Sequence, residues 1–129
     1  MVRPLERETV DLEVVARTSF VGDSACVIEL AGEFDLYTGP QFERVVLEAM
    51  GRGATEVVVD LSDVTFIDST TIGILMRTRK RLTALRGRLV LVCRDENILR
   101  LLNITTLDRL FEVLRSREEA LAALAPKPG

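Results

Sequence analysis

The sequence predicts a single α/β domain built on a mixed, mostly parallel β-sheet with about four helices. Three observations predict this class. The chain has 129 residues, of which 47% are apolar, and this suffices for one domain with its own core. Two β-branched runs open the sequence around a Gly-Asp pair, which signals a hairpin. Apolar runs typical of strands then alternate with apolar residues at helical spacing, as in strands joined by crossover helices.

The elements are expected in the order β-β-α-β-α-β-α-β-α. A charged lead-in, the domain and a short tail are predicted at 1–10, 11–125 and 126–129. The predicted strands are 11–20, 24–30, 56–61, 88–93 and 111–114. The predicted helices are 39–50, 69–85, 96–102 and 117–125.

Local signals justify the first three elements. The runs DLEVVARTSF and SACVIEL flank Gly22 and Asp23, a pair that suits a tight turn. Thr38 and Gln41 match the capping box S/T-x-x-E/Q and predict the start of a helix. Apolar residues then recur at three- and four-residue intervals up to Gly51, which ends the helix.

The middle of the chain predicts a buried strand and a long helix. The apolar centre of EVVVDL favours a strand covered on both faces. Asp68 is expected to cap a helix that Gly87 ends. The inward face of this helix is expected to contain Ile72, Leu75, Met76, the stem of Arg79, Leu82 and Leu85.

The last elements follow from the same signals. RLVLVC predicts a second strand covered on both faces, and Asp95 caps a short helix. FEVL predicts a last strand, and Ser116 with Glu119 forms a second capping box. Cys26 and Cys93 lie in apolar strand runs, so we expect two free, buried thiols instead of a disulfide.

Composition excludes several function classes. Lys and Arg total 17 against 20 Asp and Glu, so the net charge is −3, which disfavours direct nucleic-acid binding. The absence of histidine removes Ser-His-Asp and Cys-His nucleophiles, imidazole acid–base catalysis and histidine metal ligands. No apolar run approaches the ~18 residues of a membrane helix. We therefore expect a cytoplasmic protein that is not an enzyme and holds no metal or cofactor.

One candidate site is the cluster that begins the long helix. Asp68 is the predicted N-cap, and Ser69, Thr70 and Thr71 occupy the first turn, where backbone N–H groups have no intrahelical partner. A phosphate on Ser69 would meet those N–H groups and the positive end of the helix dipole. The plainer interpretation is that Ser, Thr and Asp simply favour helix N-termini.

A second candidate is the pair of carboxylates Glu33 and Asp35 in AGEFDLYTGP, with Leu36 and Tyr37 exposed or half-exposed beside them. Paired carboxylates can act as general acid and base, but nothing in the sequence supplies a nucleophile or a metal set. Solvated loop acids are the simpler interpretation.

Together, GEFD and VVVDLSDVTFIDSTTIG resemble the STAS domain family, in particular its stand-alone bacterial anti-sigma factor antagonists. The resemblance covers Asp11 to Leu124. It implies a domain that binds an anti-sigma factor serine kinase and frees the sigma factor. It also implies that phosphorylation of the serine after the Asp, here Ser69, abolishes binding, and that a serine phosphatase reverses this.

The resemblance further implies which residues meet the partner. The matching positions are Glu33, Asp35, Asp68, Thr70 and Thr71. The chain departs from the family at Thr71, where many members have glycine, and this places a larger side chain at the expected contact surface. Thr70 and Thr71 are also alternative phosphoacceptors.

Other functions stay open at this point. The same domain could serve another assembly, such as a stress-signalling complex or a lipid-transport system. The start of the long helix could accept a nucleotide phosphate. A small hydrolase based on the carboxylates has the least support. Because four helices can cover the sheet, we expect a monomer, and because the sequence has no long apolar run, we expect no membrane insertion.

Overall fold

The computed structural model describes residues 14–124. Its elements are β1 (Val15–Val21), β2 (Ala25–Phe34), α1 (Gly39–Gly51), β3 (Glu56–Ile67), α2 (Ser69–Ala84), β4 (Arg88–Val92), α3 (Glu96–Ile104), a 3-10 turn (Leu107–Arg109), β5 (Glu112–Leu114) and α4 (Arg117–Leu124). The predicted element order is confirmed. The expected lead-in and tail lie outside the described residues, so the domain limits stay predictions.

The five strands lie in the sheet in chain order, β1-β2-β3-β4-β5. β1 and β2 form the predicted hairpin and are antiparallel. The other three neighbouring pairs are parallel. Gly22 has a φ of 79° in the hairpin turn, a conformation that glycine adopts without steric cost. The predicted fold class, a mixed and mostly parallel sheet with four helices, is confirmed.

Helices cover both faces of the sheet. Ile28 and Val59 belong to the larger part of the core, to which α1, α2 and α3 contribute. Val58 and Val90 point the other way and pack with Leu124 of α4. Because side chains alternate along a strand, β3 is buried on both faces, as its apolar centre predicts.

β2 and β3 are both longer than predicted. They were expected to end at residues 30 and 61, but they continue to Phe34 and Ile67. The added residues pair in parallel through two register shifts, at which β3 has one residue more than β2. Such bulges break the alternation of buried and exposed residues, so this stretch of sequence resembles a loop. The extensions carry both strands past the end of β4 at Val92 and toward the candidate site.

The inward face of α2 differs from the expected one. Its buried residues are Thr71, Ile74, Leu75, Thr78 and Leu82. The expectation is wrong for Met76, Arg79 and Leu85, which are exposed. Thr71 and Thr78 take inward positions because their hydroxyl groups each donate to a backbone carbonyl oxygen at 2.8 Å. A hydrogen-bonded hydroxyl is far less costly to bury than an unpaired one.

Helix capping follows the sequence signals in part. Asp95 Oδ1 accepts two backbone N–H groups of the first turn of α3, at 2.8 and 3.0 Å. The Ser116 hydroxyl accepts the N–H of Glu119 at 3.1 Å, as a capping box requires. The Glu119 carboxylate, however, accepts the N–H of Arg115 instead of that of Ser116. The second bond of this capping box therefore goes to the residue before the expected one.

The two cysteines are free and buried, as predicted. Burial raises the pKa of Cys26 to about 11 and also raises the pKa of Cys93. Both thiols therefore stay protonated at neutral pH, a state suited to core packing and unsuited to nucleophilic chemistry.

Candidate functional site

The candidate site lies where the extensions of β2 and β3 end. Phe34 and Ile67, the last residues of these strands, are register partners in the parallel pair. The β2–α1 loop leaves one strand and α2 leaves the other, so both candidate segments emerge side by side at one edge of the sheet. Such edges of parallel sheets are where loops converge without filling the core.

Asp68 and Ser69 form the start of α2. Asp68 is the predicted N-cap, and its Oδ1 accepts the backbone N–H of Thr71 at 3.1 Å. The first intrahelical bond runs from Ile72 N to Asp68 O at 3.1 Å. Ser69 is exposed and Thr70 is half-buried. The Ser69 hydroxyl is thus open to solvent beside the positive end of the helix dipole.

Thr71 does not lie on the surface. Its side chain is fully buried, and its hydroxyl donates to the carbonyl oxygen of Phe34 at 2.8 Å. The same carbonyl oxygen accepts the N–H of Asp68 at 3.3 Å. The expectation of an exposed Thr71 at a contact surface is wrong, because the hydroxyl pairs with the end of β2. Thr71 therefore fastens the start of α2 to β2, a connection that a glycine could not make.

Asp35 organises the β2–α1 loop. Its Oδ1 accepts the backbone N–H groups of Tyr37 and Thr38 at 2.9 and 3.1 Å. The hydrogen bonds from the Thr38 and Tyr37 N–H groups hold the pKa of Asp35 below its ordinary value. Asp35 is consequently an anion at neutral pH, with its carboxylate occupied in shaping the loop.

Thr38 does not form the predicted capping box. Its hydroxyl makes no cap bond to α1. Instead it accepts the N–H of Asp35 at 2.9 Å and donates to the carbonyl oxygen of Glu33 at 2.8 Å. The Gln41 N–H, which a capping hydroxyl would accept, donates to Thr38 O at 3.1 Å instead. The Thr38 N–H, which the Gln41 side chain would accept in a capping box, donates to Asp35 Oδ1. Glu33 itself is exposed, next to Phe66 of β3 in register.

The starts of α1 and α2 are in contact. Gly39 is buried, and a Cβ built on it would lie 3.1 Å from Ile74 Cδ1 and 3.5 Å from Thr70 Cγ2. The structure therefore brings Glu33, Asp35, Asp68, Ser69 and Thr70 to one region, whereas the side chain of Thr71 lies beneath it. Sequence reasoning missed the carbonyl oxygen of Phe34, which joins the two segments, and no sequence signal marks a backbone acceptor.

An open groove lies beside the candidate site. Across residues 14–124, no group of three or more His, Cys, Asp or Glu side chains could hold a metal ion. An open groove of about 560 Å³ borders the site and is lined by Tyr37 and side chains of α1. No described helix is both long and apolar enough to span a bilayer.

Comparison with known proteins agrees with the motif and the fold. The STAS domain model matches residues 14–120. The chain belongs to the STAS domain family. The family resemblance that the GEFD and DSTTIG segments suggested is thereby confirmed, and it extends over nearly all of the described residues.

Relatives of this STAS domain share a narrower description. The anti-sigma-B factor antagonist of Staphylococcus epidermidis is 34% identical over 91 residues, which cover 70% of this chain and 84% of the relative. An anti-sigma factor antagonist from Mycobacterium paratuberculosis has a TM-score of 0.78 at 26% identity, over 86% of this chain and 93% of that one. The phosphorylated Bacillus cell fate determinant SpoIIAA shares the fold, with a TM-score of 0.69, 20% identity and coverage of 86% and 100%.

Proposed function

We propose that this STAS domain is an anti-sigma factor antagonist. It binds an anti-sigma factor serine kinase, which releases the sigma factor, until the kinase phosphorylates Ser69 and ends the binding. A serine phosphatase restores the active form. The observation that carries this proposal is the exposed hydroxyl of Ser69 directly after the N-cap Asp68, in a chain whose relatives are anti-sigma-B factor antagonists.

The fold can accept a phosphate on Ser69. The helix dipole and the N–H groups at the start of α2 favour an anion by about 0.3–1 kcal/mol. Repulsion from the carboxylate of Asp68 opposes this by a similar amount, because both groups are near solvent. The two effects nearly cancel, so the modification should change the fold little.

A bound partner responds differently. A surface that fits a neutral hydroxyl must bury or displace a dianion after phosphorylation, at a cost of several kcal/mol where the charge is left unpaired. Glu33, Asp35 and Asp68 already make this region acidic. Added negative charge therefore acts at the interface and leaves the interior unchanged.

Ser69 is the favoured acceptor among the three hydroxyl residues. It is exposed, while Thr70 is half-buried with its methyl group near Gly39. The Thr71 hydroxyl is fully buried and hydrogen-bonded to Phe34. Neither threonine hydroxyl can reach an enzyme as freely as that of Ser69.

The test compares Ser69→Asp with Ser69→Ala against the purified anti-sigma factor kinase encoded in the same genome. We expect Ser69→Asp to keep its thermal midpoint and to lose affinity at least about 100-fold, which corresponds to ~2.7 kcal/mol. Ser69→Ala should bind like the wild type and accept no phosphate. Calorimetry gives the affinities, and peptide mapping after incubation with ATP locates the phosphate. Equal affinity of the two variants, or a phosphate on Thr70 in the wild type, would contradict the proposal.

A further inference from the structure

We propose that Leu36 and Tyr37, called here the apolar tip, form an anchor that inserts into an apolar pocket with a basic rim on the partner that covers Ser69. This inference rests on the proposed function, because it concerns the same partner. In this inference the apolar tip supplies much of the affinity for the partner, whereas phosphorylation of the Ser69 hydroxyl turns binding off.

The two residues of the apolar tip are both exposed. Leu36 and Tyr37 are 62% and 86% exposed as residues, and they are adjacent in the chain. Isolated exposed apolar residues are ordinary on a protein surface. Two together at the end of a loop, beside a surface with a candidate switch residue, indicate a contact site. Aromatic residues of this kind supply large contact areas and are enriched among the residues that dominate binding energy.

The loop holds the tip in place. Asp35 Oδ1 accepts the N–H of Tyr37 at 2.9 Å, and Asp35 O accepts the N–H of Gly39 at 2.7 Å. On the other side, the Thr38 hydroxyl donates to Glu33 O at 2.8 Å. The backbone is therefore ordered before any partner arrives, which lowers the entropic cost of binding through the tip.

The tip is also fastened to the start of α2. Phe34, two residues before Leu36, accepts a hydrogen bond from the Thr71 hydroxyl. Gly39, two residues after Tyr37, packs near Thr70. Both ends of the loop thus touch the first turn that carries the switch residue. The tip therefore stands on a loop that is joined to the turn carrying Ser69, within reach of a partner that covers it.

Charge and shape specify the partner surface. Tyr37 lines the open groove of about 560 Å³ along α1 together with Arg44 and Glu48, so a partner segment that enters the groove meets the ring between one basic and one acidic side chain. Glu33 is exposed near the base of the tip, and Asp68 lies at the start of α2. A pocket rimmed with Lys or Arg would pair with these carboxylates and exclude acidic competitors.

The experiment measures the affinity of the purified anti-sigma factor kinase for single variants of the tip. Leu36→Ala and Tyr37→Ala should each weaken binding about tenfold or more while keeping the thermal midpoint, because both side chains are exposed. Tyr37→Phe should retain most of the affinity, since the ring is kept. Leu85→Ala is the matched control, because Leu85 is 53% exposed and lies at the far end of α2. The affinity of this variant for the kinase should stay within about twofold of the wild-type affinity.

The outcomes separate this inference from the proposed switch. If Ser69→Asp abolishes binding while both tip variants bind like Leu85→Ala, the anchor is overturned and the switch stands. If the tip variants weaken binding while Ser69→Asp does not, the anchor stands and the switch fails. A loss of affinity in Leu85→Ala equal to that in Tyr37→Ala would also overturn the anchor, because the effect would not be local.

Discussion

A single carboxylate oxygen shapes the β2–α1 loop. Asp35 Oδ1 accepts two backbone N–H groups, and these bonds hold the pKa of the carboxyl below its ordinary value of 3.8. A group with a lowered folded-state pKa stabilises the protein above its unfolded-state pKa. That contribution is lost as the pH falls through the folded-state pKa. The loop should therefore keep its shape across the neutral range and loosen only in acid.

Substitution of Asp35 tests whether loop shape or charge matters for binding. Asp35→Asn keeps an oxygen that can accept the same N–H groups, whereas Asp35→Ala removes it. We expect Asp35→Ala to weaken partner binding about tenfold and Asp35→Asn to weaken it clearly less, because shape dominates. Asp23→Ala, an exposed acid in the opposite hairpin turn, is the control and should bind like the wild type. Equal losses in Asp35→Asn and Asp35→Ala would mean that the charge matters and the shape does not.

Single residues show where sequence patterns predict a site and where they do not. Asp68 was predicted as an N-cap because its signal is local, and it caps α2. Thr38 matched a capping pattern equally well, but its hydroxyl pairs with Asp35 N and Glu33 O within the loop and makes no cap bond to α1. Thr71 was expected on the surface, yet its hydroxyl finds the carbonyl oxygen of Phe34, 37 residues earlier in the chain. A local motif does not show which of several nearby partners a hydroxyl will choose, and it does not show a partner that lies far away in the sequence.

At the level of elements, the end of β3 was the least predictable part of the fold. From Leu61, the buried residues are Leu61, Val64 and Ile67, separated by exposed pairs. A regular strand buries every second residue on one face, so a spacing of three indicates a loop. The structure accommodates this spacing through bulges opposite β2. The end of β3 is set by its pairing with β2, whose residues lie about 30 positions earlier in the chain and therefore outside any local sequence pattern.

The junction between α2 and β4 depends on Gly87. Its N–H donates to Leu82 O at 2.7 Å, and a Cβ built on it would overlap the carbonyl oxygen of Thr55 and lie 2.9 Å from its carbonyl carbon. Because a backbone cannot yield like a flexible side chain, Gly87→Ala should lower the free energy of unfolding by about 3 kcal/mol. Urea denaturation measures the change. Gly51→Ala, with no atom within 4 Å of the added Cβ, is the control. A Gly87→Ala protein as stable as this control would contradict the close approach.

At the scale of the whole molecule, α4 differs from the other helices because it lies alone on its face of the sheet. Its buried residues are Ala120 and Leu124, so it buries little apolar surface and an ionic contact can add to its attachment. Arg117, at its first turn, donates to Asp60 Oδ2 through Nε and a terminal nitrogen at 3.1 and 2.8 Å. The same guanidinium reaches Glu29 at 3.2 Å. These carboxylates belong to β3 and β2, so the guanidinium joins the helix to two central strands.

The Asp60–Arg117 pair should make the attachment of α4 depend on pH. Burial raises the pKa of Asp60, but hydrogen bonds from Ser62 and Arg117 outweigh this, and the net pKa lies below 3.8. The stabilisation is therefore present above about pH 4 and is lost as the pH falls through the folded-state pKa. Asp60→Asn should lower the free energy of unfolding at pH 7 by about 1–3 kcal/mol, and the difference from the wild type should shrink near pH 3. Urea denaturation at both pH values measures this, and amide exchange should show faster opening of Arg117–Leu124.

Glu112→Gln, which removes a solvent-exposed partner of Arg88, is the control and should change the unfolding free energy by no more than about 1 kcal/mol. A difference between Asp60→Asn and the wild type that is the same at pH 3 and pH 7 would show that the ionised pair does not hold α4.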